Sequence, residues 1–243
     1  MLHLSDRLKA IALEIRHGET MADIGTDHGF LPVYLYQRGI CPHVILTDIS
    51  ADSLQKAQTC CRREMPETEF DLRQGDGLEV LRDGEVDTVV MAGIGGLLMT
   101  EILRRNPGHS RSFGRFILQP RSAVGPLRHW LFHHGYSIRG EALVREGRFL
   151  CEILTVVPEP EKIADFRQAA ADADSIRWEV PAWYGQRGDD LTVEYLGRKL
   201  AREENIFRER SKSRYADAMT TLENIRYLRG LLMTAGERPN PPR

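Results

Sequence analysis

The sequence predicts an α/β protein: a doubly wound, Rossmann-like parallel sheet followed by a C-terminal α-helical hairpin. Three observations carry that expectation. From residue 20 to residue 133, short apolar runs alternate with helical patterns, which implies parallel strands joined by crossover helices. Four of the strands run into glycine, acid or glutamine-proline turns, and ligands of open α/β sheets sit beyond such strand ends. After Pro158-Glu159-Pro160-Glu161, two long helical patterns dominate.

The elements follow in order. Leu4, Leu8, Ile11 and Ile15 form one apolar face of a first helix, with Ser5 as its cap. Residues 20–24 read as a buried strand and 30–36 as a helix with Pro32 in its first turn. Residues 44–48 form the second strand, and Ser50 caps a helix through Leu54, Ala57 and Cys61. Residues 70–73 and 87–91 are the third and fourth strands, and a helix over 97–103 comes next. Residues 116–118 are a fifth strand and 124–132 a helix. Strands over 136–144 and 149–157 are close enough to pair as a hairpin, which adds an antiparallel edge. Beyond Pro160 we expect a short helix over 163–173, an aromatic segment over 176–184, and helices over 191–211 and 215–233 joined near Ser211-Lys212-Ser213. The expected domains are 1–157 and 158–243. The last residues, 236–243, hold three prolines and are expected to fray.

Composition bounds the function. With 42% hydrophobic and 28% charged residues in 243, the chain is an ordinary globular protein, not a disordered, collagenous or rod-like one. No apolar run approaches the roughly 20 residues of a membrane span, and Met1 to Arg7 lacks a secretory signal. Cys41, Cys60, Cys61 and Cys151 match neither a zinc pattern nor a disulfide framework. The expectation is a cytoplasmic, monomeric protein with no membrane and no metal. The net charge of −2 argues against a globally basic nucleic-acid binder and leaves room for a local patch.

The first strand ends in Asp23-Ile24-Gly25-Thr26-Asp27-His28-Gly29. The nicotinamide fingerprint Gly-x-Gly-x-x-Gly is absent. Acid-x-Gly-x-x-x-Gly instead lets the backbone approach a nucleoside carrying an amino acid, while the acid receives a cationic amine, as S-adenosylmethionine is held in the common methyltransferase fold. About twenty residues on, Asp48 ends the second strand, where a carboxylate can accept both ribose hydroxyls. Asp76-Gly77 ends the third, where an acid can accept from an adenine amino group and the backbone can donate to a ring nitrogen. Each has a plainer reading: a tight turn, a helix cap and an Asp-Gly turn. Their order along the chain favours the ligand.

At these residues the sequence resembles the bacterial tRNA (adenine-N1)-methyltransferases that modify adenine 22. The resemblance covers Leu4-Ser5-Asp6-Arg7-Leu8, the Asp23-to-Gly29 turn with Leu31-Pro32, and Thr47-Asp48-Ile49. It continues through Gln74-Gly75-Asp76-Gly77-Leu78, Met91-Ala92-Gly93-Ile94-Gly95-Gly96, Leu118-Gln119-Pro120 and the helical appendage. It implies a class I methyltransferase domain with a C-terminal, coiled-coil-like tRNA-binding helical domain, S-adenosylmethionine as cofactor and tRNA as substrate. The donor site it implies comprises Asp23, Gly25, Thr26, Gly29, Asp48, Ile49, Asp76, Gly77, Met91, Ala92 and Gly93. One departure is Arg121, where the family more often has asparagine.

Methylating adenine N1 leaves a positive ring, and a carboxylate or imidazole at the Watson–Crick edge would help as base or electrostatic partner. Gly93-Ile94-Gly95-Gly96 offers no polar side chain, so the group must come from elsewhere. Asp27 is the first candidate, with His28 and Gln119 as alternatives. The glycine turn itself suits close backbone approach to a base extruded from folded RNA.

Two basic stretches are candidate phosphate contacts: Arg198, Lys199, Arg202, Arg208, Arg210, Lys212 and Arg214, and Arg104, Arg105, Arg111 and Arg115. Interleaved Glu203, Glu204 and Glu209 also permit a plain solvated helix face. His129, His133 and His134 lack the acid or cysteine a metal site needs, and Trp130, Trp178 and Trp183 read as core or interface. The competing functions are a same-fold methyltransferase for another RNA position or a small molecule, and a non-catalytic RNA-binding adaptor.

Overall fold

The computed structural model describes residues 2–159, 174–212 and 218–236, and the chain divides into two compact units, Met1–Ala173 and Asp174–Arg243. The helix expected over 163–173, Arg214 and the expected frayed end after 236 lie outside the described residues.

In the first unit the elements are α1 (Asp6–Glu14), β1 (Met21–Ile24), α2 (Phe30–Gln37), β2 (Val44–Asp48), α3 (Ala51–Glu64), β3 (Asp71–Gln74), β4 (Thr88–Ile94), α4 (Gly96–Arg105), α5 (Pro107–Ser110), β5 (Arg115–Pro120), α6 (Val124–His133), β6 (Tyr136–Glu146) and β7 (Phe149–Pro158). They build one mixed sheet of order β3-β2-β1-β4-β5-β7-β6. Strands β1 to β5 are parallel, and β7 runs antiparallel between β5 and β6. The chain winds from β1 outward to β3 and then returns to β4, so β1 and β4 flank the switch point.

Both faces of the sheet are covered at its centre, and β1, β2 and β5 are therefore buried throughout rather than alternating with polar residues. The strand pleat divides the core in two. Val89, Met91, Phe116 and Leu118 point toward one cluster with α4 and α6, while Val90 and Ile117 point toward the other with α1, α2 and α3. Ser5 caps α1 through Leu8 N, and Ser50 caps α3 through Ser53 N, as their positions predict.

Two departures matter for function. β4 is expected to stop at Met91 but runs on to Ile94, with a register shift between Ala92 and Ile94 that leaves Gly93 as a bulge at φ +80°. Pairing with an equally extended β5 holds this segment in the sheet. The hairpin is longer than expected, because Arg145 and Glu146 go on pairing with Leu150 and Phe149, and α6 is tied to it by a buried triad. Arg128 donates to Glu141 (Nε–Oε1 3.0 Å) and to Glu152 (Nη2–Oε1 2.6 Å).

In the second unit, α7 (Ile176–Glu179) and a 3₁₀ turn (Ala182–Gln186) precede α8 (Asp190–Arg210) and α9 (Met219–Gly236). Asp189 caps α8 by accepting from Thr192 N at 2.9 Å. Arg210 near the end of α8 pairs with Thr221 near the start of α9, while Glu203 and Glu204, a turn or two earlier, pair with Asn224 and Arg229 further along, so the two helices pack antiparallel.

Candidate active site

The carboxyl ends of the parallel strands surround a cleft of about 1200 Å³. Its walls include Asp23, Gly25, Thr26 and Asp27 from β1 and its turn, Asp48 and Ile49 from β2, Asp76 and Gly77 after β3, Ala92 and Gly93 from β4, and Gln119 from β5. His28 lines it as well.

The turn after β1 is shaped by backbone sterics. Gly25, Asp27 and Gly29 have φ of +77°, +47° and +70°. Asp27 is thus a non-glycine residue in the left-handed region, which aspartate tolerates better than most. Gly29 is required by packing, since a Cβ there would meet Leu46 Cδ2 at 2.9 Å. It is among the expected donor contacts but faces the core rather than the cleft. Met91 is likewise fully buried and away from the cleft.

Two acids anchor the floor. Asp23 is buried, and its Oδ2 accepts from Thr26 Oγ1 at 2.9 Å. Burial pushes its carboxyl up to about 6; the Thr26 hydroxyl opposes this, Asp48 adds to it, and Arg7 opposes it. Asp48 accepts from Ser50 N through Oδ1 (2.9 Å) and from Asp27 N through Oδ2 (3.2 Å). It thus has the helix-entry role: it fastens the β1 turn to the end of β2, and each oxygen retains a lone pair for a further donor.

Asp76 is less free than the sequence suggests. Arg105 pairs with it and also with Glu79 (3.6 Å) and Glu101 (3.5 Å). Gly77, at φ +60°, lies 3.0 Å from Ile102 Cγ2 when given a Cβ.

Asp27 stands half-exposed in the cleft. Its Oδ2 accepts from His28 Nδ1 at 2.6 Å and its Oδ1 from Lys56 Nζ at 3.2 Å. Burial pushes its carboxyl up, but these two hydrogen bonds and the charges behind them outweigh that and hold it below the usual carboxylate range. His28 stacks on Phe30 at 5.2 Å, so its ring is turned to Asp27 and Phe30. Gln119 is buried, with Oε1 accepting from Arg7 Nη1 (2.9 Å) and Nε2 donating to the Pro120 carbonyl (3.0 Å).

Sequence reasoning does not find Lys56 or Arg7. Arg7 Nε also donates to Glu146 at the hairpin end of β6 (2.8 Å), so α1 joins the β5 end to the hairpin. A signal for it exists: Arg7 lies on the apolar stripe of Leu4, Leu8 and Ile11, where a charge needs a buried partner.

Other expectations need correction. The four-residue glycine turn does not serve the cleft as a unit. Gly93 lines it, whereas a Cβ on Gly96 would meet Ala123 O at 2.5 Å, so Gly96 lets α4 start against the loop before α6. Of the patch of Arg104, Arg105, Arg111 and Arg115, all but Arg104 are engaged by the protein itself. Arg115 is buried against Glu19 and Thr88, Arg105 is held by three acids, and Arg111 donates to the His134 carbonyl. In the second unit, Arg198 pairs with Glu194, Lys199 with Glu179, Arg208 with Asn205 and Lys212 with Glu209, closer to a solvated helix face than to a free cationic strip. His133 and His134 turn Nδ1 to the carbonyls of His129 and Trp130. Among the described residues no three His, Cys, Asp or Glu side chains converge as metal ligands. No described helix is long and apolar enough to cross a membrane.

These residues fit an adenosine-bearing sulfonium donor. Two neighbouring buried acids, one driven toward protonation by burial and by the other, form a seat that a cation would relieve. Comparison with known proteins agrees. Residues 4–154 match the methyltransferase domain family. The chain is 33% identical over 175 residues to the tRNA (adenine(22)-N(1))-methyltransferase of Bacillus subtilis, covering 72% of this chain and 71% of that one. It superposes on the crystal structure of the B. subtilis m1A22 tRNA methyltransferase with TM-score 0.74 at 26% identity, over 98% of this chain and 99% of that one. The enzyme TrmK of M. capricolum, solved with S-adenosyl-homocysteine, shares the fold with TM-score 0.77 at 22% identity, over 96% and 99% of the two chains. With its acid-floored cleft at the switch point and these matches together, the chain belongs to the tRNA (adenine(22)-N1)-methyltransferase family.

Proposed function

We propose that this protein is an S-adenosylmethionine-dependent tRNA methyltransferase that methylates N1 of adenine 22. The observation that carries the reading is the grouping of three acids in one cleft: Asp23 and Asp48 for the donor, with Asp27 standing beyond them toward the mouth.

Bound there, S-adenosylmethionine supplies an electrophilic methyl group on a cationic sulfur. Asp23, in its ionised form, receives the cationic amino-acid end, and Asp48 accepts the ribose hydroxyls with its spare lone pairs. Ile49, two-thirds exposed in the cleft wall, gives the adenine an apolar face. Gly25 and Gly93 keep side chains out of the space the donor crosses.

Asp27 faces the target. Methylation at N1 breaks one S–C bond, forms one N–C bond and leaves the positive charge on the adenine ring. Asp27, held ionised by His28 and Lys56, stabilises that charge electrostatically. Its lowered pKa makes it a weak proton acceptor, so it acts first as a fixed negative charge, and the N6 proton can leave later to water. His28 and Lys56 position it. Gln119, with both ends engaged, shapes the wall.

The test is transfer of labelled methyl groups to unmodified tRNA transcripts that differ only at position 22. Incorporation with adenine and none with guanine supports the reading. Equal incorporation into both overturns the position.

A further inference from the structure

The mouth of the cleft carries two side chains that the donor seat and the target carboxylate do not use. Arg121 follows Gln119-Pro120 at the carboxyl end of β5; it is exposed and lines the cleft. Among the described residues its guanidinium makes no hydrogen bond or ion pair. Arg7, which lines the same cleft, differs: it is held by Glu146 and Gln119. Arg121 is therefore a cation with its charge still to be matched.

Phe149 is the second. It opens β7 and lines the cleft, yet it is 59% exposed. The Arg148 guanidinium lies over its ring at 5.0 Å. Strand register explains how it reaches the mouth. Leu154 of β7 pairs with Leu118 of β5, and β7 runs antiparallel. Phe149 comes five residues before Leu154, so it projects roughly 16 Å past the level of Leu118, beyond the carboxyl edge of the sheet. Glu146 of β6 pairs with Phe149 across the hairpin, and Arg7, bonded to Glu146, tethers this tip to α1.

An exposed aromatic ring and an unmatched guanidinium at one opening fit a nucleotide better than they fit a peptide. Every base has a face that stacks on an aromatic ring, whatever its identity, and each nucleotide brings one phosphate. Extruding a target adenine also leaves its neighbours without a stacking partner. We propose that Arg121 and Phe149 clamp the RNA strand beside the target adenosine, with Phe149 stacking on a neighbouring base and Arg121 pairing with a backbone phosphate. This rests on the tRNA reading above and adds to it where the strand enters.

The experiment measures equilibrium binding of unmodified tRNA transcript to the full-length chain across a salt series, with methyl transfer and donor calorimetry on the same preparations. Phe149→Ala should weaken tRNA binding about tenfold, as removal of one stacked base does. Phe149→Tyr should restore it and Phe149→Leu should not, because stacking rather than apolar bulk is at issue. Arg121→Ala should lower the slope of log affinity against log salt by about 0.7–0.9, the value for one neutralised phosphate. Donor affinity should stay unchanged in all four variants. Wild-type binding by Phe149→Leu, or an unchanged salt slope for Arg121→Ala, overturns the clamp. If the unaltered chain methylates tRNA and both alanine variants match it, the clamp alone fails. If the unaltered chain methylates no tRNA, the functional reading fails and the clamp with it.

Discussion

Asp23 places a titratable acid under the donor seat, and its raised pKa has two consequences of opposite sign. The folded chain binds this proton more tightly than the unfolded chain does, so Asp23 favours folding below about pH 4, and that contribution is lost as pH rises through about 6. Asp23→Asn should therefore stabilise the protein at pH 7, on the order of 1–3 kcal/mol, as read by urea unfolding. Donor binding runs the other way, because a cation needs the ionised carboxylate. Affinity for S-adenosylmethionine should fall as pH drops below about 6, and Asp23→Asn should flatten that dependence. A flat wild-type profile between pH 5 and 7 would remove Asp23 from the seat. Asp27 is a different kind of acid, with a lowered pKa and a half-exposed position. Asp27→Asn keeps the shape and removes the charge. It should slow single-turnover methyl transfer about 100-fold with donor affinity nearly unchanged. Near-normal single-turnover rates would leave Asp27 with the turn-forming role that its hydrogen bonds already give it.

At the scale of elements, most of the first unit is legible in the sequence because its signals are local. Ser5 and Ser50 cap the helices they precede, and the apolar runs of β1, β2 and β5 form buried parallel strands. What is not legible depends on partners distant in sequence. β4 extends through Gly93 because β5 pairs with it, and Gly96 is needed because Ala123 is 2.5 Å away from where a side chain would begin. The acids of the cleft can be read from their strand ends. Lys56, Arg7 and the engagement of Asp76 by Arg105 cannot, since each arises from tertiary packing. The triad of Arg128, Glu141 and Glu152 belongs to the same class. It ties α6 to both strands of the hairpin that supports the cleft mouth. Arg128→Met would leave two buried carboxylates without their cation and should destabilise the fold by about 3–5 kcal/mol in urea unfolding. A change below about 1 kcal/mol would mean that apolar packing of the hairpin suffices without the triad.

On the scale of the whole molecule, the chain joins an α/β unit that holds the chemistry to a helical unit whose cations are largely paired within it. The proposed role of that second unit is to bind tRNA. Arg202 and Arg208 are exposed on α8. Reversing both to Glu should weaken tRNA binding and reduce its salt slope by about 0.9 for each phosphate that the helix no longer neutralises. An unchanged slope would take this helix face out of the RNA interface. The proposed activity requires the cleft to place N1 of one adenine against the donor. The measurement that tests it is digestion of enzyme-treated tRNA followed by mass spectrometry of the fragments. The expected result is 1-methyladenosine at position 22 and no other new methyl group. Methylation at N6 or at another nucleotide, or donor binding without any transfer to tRNA, would contradict it.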